Sequence, residues 1–176
     1  MLTAIEMILV CLVAQAALTD LTLRKIPNVL ILSGLLLALL LHSLAGTHGA
    51  VTQQWLAGAV TGLFVFLPLY LLRAMAAGDV KLLAMVGAFL GPLAVLKVAA
   101  LATLFGGLLA LLMLLRSGRA RQAWNNILVL CAPLWWRCLG LPMQSVPLPA
   151  ISSVGGIPYG VAIALATASS VLLVPR

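Results

Sequence analysis

Charge is scarce in this chain of 176 residues: only 7% of side chains are Asp, Glu, Lys or Arg, and three of them are acidic. Soluble domains carry about 25% charged residues, so a water-facing surface of ordinary composition is excluded. Hydrophobic residues reach 64%, against about 45–50% in globular proteins. A soluble domain of about 150 residues hides only about 70% of the surface its chain exposes, so lipid must solvate much of this one. Cysteine is rare as well. Cys11, Cys131 and Cys138 form no Cys-x-x-Cys pair and no His-assisted metal spacing, which excludes a disulfide framework and a zinc site; they read as small apolar residues. His42 and His48 are expected to be solvated in a polar connection, and neither a metal nor a cofactor is expected. Aromatic residues are only 6%, and no cluster of bases lies among them, so the net charge of +7 does not describe a nucleic-acid surface.

The bases stand between apolar runs, which is the pattern of cytoplasmic loops in a membrane protein. A span needs about 20 apolar residues, and candidates lie at roughly 2–19, 29–46, 55–72, 81–96, 98–115 and 155–174. Residues Leu9 to Ala16 end in Ala14-Gln15-Ala16, similar to a signal-peptidase site, but no basic segment precedes them and Arg24-Lys25 follows as a stop-transfer signal; a retained first span is expected. Breaks fall at Pro27, at the polar stretch from Gly46 to Gln54, at Ala77-Gly78-Asp79, at Gly91-Pro92 and at Ser117-Gly118. The stretch from Trp124 to Leu141, with Pro133 and Arg137, reads as an interfacial or re-entrant segment before the last helix. The expected fold is thus an all-α membrane protein, a polytopic bundle of about six transmembrane helices forming a single integral-membrane domain over 1–176. With the N-terminus outside, Arg24, Lys25, Arg73, Lys81, Arg116, Arg119 and Arg121 fall on one side, and the first two outer connections hold only Lys97. Gly58-x-x-x-Gly62, Gly87-x-x-x-Gly91 and Gly156-x-x-x-Gly160 permit close helix approach.

The three acids are Glu6, Asp20 and Asp79. A charge within a membrane costs about 2.5–3.5 kcal/mol on insertion scales, so their positions carry information. Glu6 and Asp20 share the first helix but lie about 21 Å apart along it, and Glu6 reads as a solvated surface acid. Asp20 ends the first helix on the basic side and Asp79 opens the fourth on that same side. Two carboxylates at one depth can share a proton and activate water, as in aspartic proteases. Each also has a structural explanation: Asp79 as a helix cap, Asp20 as an i,i+4 partner of Arg24.

The sequences around both acids resemble the type IV prepilin peptidase family. Asp20-Leu-Thr-Leu-Arg-Lys-Ile-Pro-Asn28 is similar to its first aspartate motif, an acid followed by bases and Ile-Pro-Asn. Ala76-Ala77-Gly78-Asp79-Val80-Lys81 is similar to its second, Gly-x-Gly-Asp-hydrophobic-Lys, with Ala76 where the family has Gly. Ile157-Pro158-Tyr159-Gly160 resembles its Pro-aromatic-Gly segment. The insertion with two Cys-x-x-Cys pairs found in members that also methylate is missing, so the chain resembles the short, peptidase-only form of Flp, or tight-adherence, pili.

The resemblance implies a membrane aspartic peptidase of the bacterial inner membrane that removes the leader of a prepilin or pseudopilin with a hydrophobic N-terminal helix, without cofactor or metal. Asp20 and Asp79 would be catalytic, with Gly78, Lys81, Pro27, Asn28, Pro158, Tyr159 and Gly160 in support. From the residues themselves, Gly78 allows close approach, Lys81 steadies the anionic pair or anchors the cytoplasmic face, and Pro27 and Asn28 start the second helix. Helix dipoles assign Asp79, at an N-terminus, as base and Asp20, at a C-terminus, as the proton holder. Two rival readings remain: a proton- or ion-coupled transporter, which would place acids near mid-span, and a non-enzymatic subunit of a pilus or secretion assembly, which would tolerate loss of both aspartates.

Overall fold

A computed structural model describes residues 3–44, 48–72, 74–118 and 158–173, and these form six helices in the order α1 (Ala4–Leu23), α2 (Asn28–Leu44), α3 (His48–Leu71), α4 (Ala77–Leu90), α5 (Pro92–Ser117) and α6 (Tyr159–Leu173). No strand occurs among the described residues, so the expected all-α membrane architecture holds. The chain divides into two compact units, one comprising Met1–Gly107 with Pro158–Arg176 and the other Leu108–Ile157. Of the second, the described part is the end of α5, an apolar helix with Leu108, Leu111, Leu112 and Leu115 exposed. The expected segment from Trp124 to Leu141, Cys131, Cys138 and Gly156 lie outside the described residues. The rest of this section concerns the first unit.

Helix α1 begins with a reciprocal cap. Thr3 Oγ1 accepts from the Glu6 N–H at 3.3 Å and Glu6 Oε2 accepts from the Thr3 N–H at 2.9 Å, satisfying two donors that the first turn leaves open. Glu6, expected as a plain surface acid, is therefore a capping residue. The helix ends where Arg24 takes a left-handed conformation, φ 53°, and its N–H returns to the Asp20 carbonyl. Pro27 precedes α2, whose first turn closes when the Leu30 N–H bonds the Pro27 carbonyl at 3.1 Å.

Helices α1, α3 and α5 are long and apolar enough to cross a membrane, and α2 and α6 are shorter apolar helices. Helix α4 is different. It has 14 residues, about 21 Å of helix, and Asp79, Val80 and every residue from Leu82 to Phe89 are buried. It packs against α1, α2, α3 and α6, so its neighbours rather than lipid enclose it. Phe66 of α3, Leu9 and Val13 of α1, and Ile163 of α6 belong to the same buried cluster.

The tightest seam is between α3 and α4. A methyl group on Gly58 would strike the Gly87 carbonyl, one on Gly87 would strike the Gly58 carbonyl, and one on Gly62 would strike the Leu83 carbonyl. Gly58, Gly62 and Gly87 thus do what small residues do in lipid, where close backbone approach replaces the hydrophobic effect as the source of packing energy, whereas Gly91 has open space at its Cβ position. Trp55 adds a polar tie between α3 and α2, donating from Nε1 to the Leu35 carbonyl at 3.1 Å.

Two span limits differ from expectation. The break between the fourth and fifth helices falls at the expected Gly91-Pro92, with Gly91 at φ 83°, but the apolar span expected over 81–96 runs past it, so Lys97 lies inside α5 and not in a connection; Pro92 starts the new helix, where its missing N–H costs nothing. The polar stretch after Gly46 is largely helical, because α3 starts at His48. His42 lies in the last turn of α2, its Nδ1 buried without a hydrogen-bond partner. The histidines therefore stand in helices, since polar residues at a helix end can extend the helix beyond the apolar run.

Candidate active site

One end of the first unit gathers the residues that the sequence singled out. Asp20 sits in the last turn of α1 and Asp79 in the first turn of α4, and these elements pack on each other. Both side chains are withdrawn from solvent, Asp20 at 8% exposure and Asp79 at 6%. Carboxylates are almost never buried to this degree without a partner. The Asp79 carboxyl lies within electrostatic reach of Asp20 and of the Ala76 backbone N–H. The two acids that the sequence could place only at a common depth are thus neighbours.

The cap explanation for Asp79 accounts for part of this. Ala76 is the N-cap of α4 and offers no capping side chain, so the reach of Asp79 back to the Ala76 N–H serves the helix terminus. Capping by itself gives no reason for a second carboxylate alongside. Ala76 has φ −80° and ψ 150°, an extended conformation open to any residue. The departure from glycine at this position therefore costs the backbone nothing.

Asp20 receives a donor from another helix. The Gly160 N–H, at the start of α6, donates to Asp20 Oδ2 at 2.9 Å in a buried contact. The dipole assignment considered each aspartate on its own helix alone. Asp20 ends α1 but also faces the N-terminus of α6, so both aspartates meet a helix N-terminus and dipoles no longer separate their roles.

The supporting residues fall around this pair. Ile26, in the connection between α1 and α2, lies over Gly78, where an added methyl would be 3.4 Å from the Ile26 Cβ. Lys81 Nζ donates to Asn28 Oδ1 at 3.1 Å, so the second motif holds the first across 53 positions of sequence. Pro158 is buried and its carbonyl accepts from the Val161 N–H, closing the first turn of α6. Tyr159 lies where Gly106 of α5 has no side chain; a methyl there would be 2.6 Å from its Cε1. Ile26 belongs to the Ile-Pro-Asn motif, whereas Gly106 was not foreseen from the sequence. The one signal was the Gly106-Gly107 doublet inside a Leu-rich helix. Among the described residues no three His, Cys, Asp or Glu side chains come together as a metal site.

Two buried carboxylates within electrostatic reach, each carried by a different helix, are an arrangement that can share a proton and activate water. The model of the type IV leader peptidase family matches residues 7–111, a stretch that holds both aspartates. The chain belongs to that family. No curated protein and no solved structure matches the chain significantly. The leader peptidase match stops before Tyr159 and Gly160, so the contact of α6 with Asp20 stands on geometry alone.

Proposed function

We propose that this leader peptidase is an aspartic endopeptidase that cuts the short N-terminal leader from Flp or type IV-like prepilins at the cytoplasmic face of the bacterial inner membrane. The observation that carries the reading is the pairing of buried Asp20 and Asp79 within each other's field. Like charges in a buried site cannot both ionise freely, so such a pair shares one proton. The ionised member takes a proton from water as the water oxygen attacks the scissile carbonyl carbon, and the protonated member donates to the carbonyl oxygen. Transfer of the first proton to the leaving nitrogen, while the hydroxyl formed from the carbonyl oxygen returns its proton to the other aspartate, then breaks the C–N bond and restores the pair. The cycle is balanced without covalent attachment to the enzyme.

The cytoplasmic assignment rests on the basic residues that flank this end, Arg24 and Lys25 beside Asp20 and Lys81 beside Asp79. A substrate whose hydrophobic helix lies in the bilayer would present its leader at that depth. Leaders of this substrate class are basic, so anionic lipid is a better common docking surface than the basic enzyme loops. The transporter reading fits less well, because both acids stand at helix ends and not at mid-span. The absence of the double Cys-x-x-Cys insertion from the sequence supports peptidase activity without methylation.

The test is co-expression with an epitope-tagged Flp-type prepilin, scoring leader removal by gel shift for wild type, Asp20→Asn and Asp79→Asn. Accumulation of uncut prepilin with both variants at normal enzyme levels is expected. Cleavage that survives both substitutions would transfer the case to the assembly or transporter readings.

A further inference from the structure

The aspartate pair needs each carboxyl held in a working orientation, and for Asp20 the structure shows what holds it. Its Oδ2 takes the Gly160 N–H at 2.9 Å, a distance typical of a good hydrogen bond. The site is closed around that bond: a methyl on Gly160 would stand 2.9 Å from Asp20 Oδ2, 3.0 Å from its Cβ and 3.2 Å from its Cγ. Only hydrogen fits between the α6 backbone and the carboxyl. The start of α6 is itself fixed, since Tyr159 is lodged against Gly106 of α5 and the Val161 N–H is taken by the Pro158 carbonyl at 3.2 Å.

We propose that Gly160 is a positioning residue for the hydrolysis: its N–H commits Oδ2 of Asp20 as an acceptor and leaves Oδ1 as the oxygen that exchanges a proton with the attacking water. The chemistry follows from the asymmetry of a carboxyl. A backbone N–H bonds better to a carboxylate or carbonyl oxygen than to a protonated one, so whenever Asp20 carries a proton, that proton belongs on Oδ1. A carboxyl with both oxygens free would rotate and offer water either one. Here one rotation is selected before substrate arrives, the preorganisation that fixed donors supply in active sites. Lys81 is engaged with Asn28, and Tyr159 packs on Gly106.

The inference rests on the aspartic peptidase reading and is tested separately from it. Enzyme purified with lipid and given a prepilin substrate is compared as wild type, Gly160→Ala and a backbone variant in which glycolate replaces glycine at position 160. The glycolate ester, introduced by ligating a synthetic C-terminal segment, removes the N–H and adds no atom. For Gly160→Ala, kcat is expected to fall about 100-fold, the scale of a misplacement of about 1 Å at a reacting group, while KM stays within about threefold. The ester is expected to lower kcat in the same direction with an unchanged melting temperature. A folded Gly160→Ala protein with wild-type kcat overturns the proposal, as does an equal effect on kcat and KM in the ester. If the Ala variant fails to fold, the ester decides by the same criteria. Cleavage by Asp20→Asn in the same assay would instead remove the aspartic reading, and with it the reaction that Gly160 is said to serve.

Discussion

Single positions around the aspartates carry distinct demands, and the structure separates them. Ala76 holds an extended conformation that L-residues adopt freely, so Ala76→Gly should leave cleavage within about twofold of wild type and destabilise the protein by no more than about 1 kcal/mol through added chain entropy. A large gain in kcat on restoring glycine would show that positive φ matters there during turnover. The Lys81 to Asn28 bond is exposed, where a hydrogen bond with one charged partner is worth little after competition with water. A double-mutant cycle of Lys81→Met and Asn28→Ala, read by unfolding in detergent, should give a coupling below about 1 kcal/mol. Coupling of several kcal/mol would mark a buried network in place of a surface tie. At this scale the sequence was readable where chemistry is local: both aspartates, the bases and Ile-Pro-Asn were visible as motifs. The Gly160 donor was not, because residues separated by 140 positions meet only through folding.

Among elements, α4 is the one about which the bundle is organised. Its 14 residues fall short of the roughly 20 that a lone span needs, yet it is the most enclosed of the helices, and its seam with α3 admits no side-chain atoms at Gly58, Gly62 or Gly87. Gly58→Val should therefore destabilise the protein by about 1–3 kcal/mol, the cost of overpacking a close contact, and lower its melting temperature in detergent. Gly107→Ala is the matched control. Nothing lies within 4 Å of a methyl at that position, so the substitution should be neutral or stabilising by up to about 1 kcal/mol through helix propensity. Equal effects at the two positions would contradict the packing account. The helices themselves were legible from apolar run length, which reports the solvent. Their ends were less so from hydropathy: the apolar run continued past the break that Gly91-Pro92 marked and the structure has, and α3 ran back to His48 through polar residues, because hydropathy senses lipid and helices end where backbone geometry changes.

For the whole molecule, the first unit brings the C-terminal end of α1 and the N-terminal ends of α4 and α6 to one place, and the aspartates lie there. The proposed function puts that end at the cytoplasmic face, on the ground of the charge distribution. Membrane-impermeant thiol labelling of single-cysteine proteins, with Cys11, Cys131 and Cys138 replaced, checks the assignment: cysteine at Thr3 should label from the periplasmic side of intact cells and cysteine at Lys25 only after permeabilisation. The reverse pattern would put the aspartates on the wrong side for a cytoplasmic leader. Fold class was legible in composition because it is set by solvent. That the two aspartates meet was not, since depth along a helix axis fixes one coordinate and helix packing fixes the other two.

The central claim is that Asp20 and Asp79 act as one unit, and the most direct measurement is the cleavage rate of purified enzyme in liposomes for wild type, Asp20→Asn, Asp79→Asn and the double variant. Residues that work as a unit lose their function together. Each single substitution is predicted to lower kcat by at least about a thousandfold, and the double to lose no more than the worse single. Losses that multiply in the double variant, or a single variant with wild-type kcat, would contradict it.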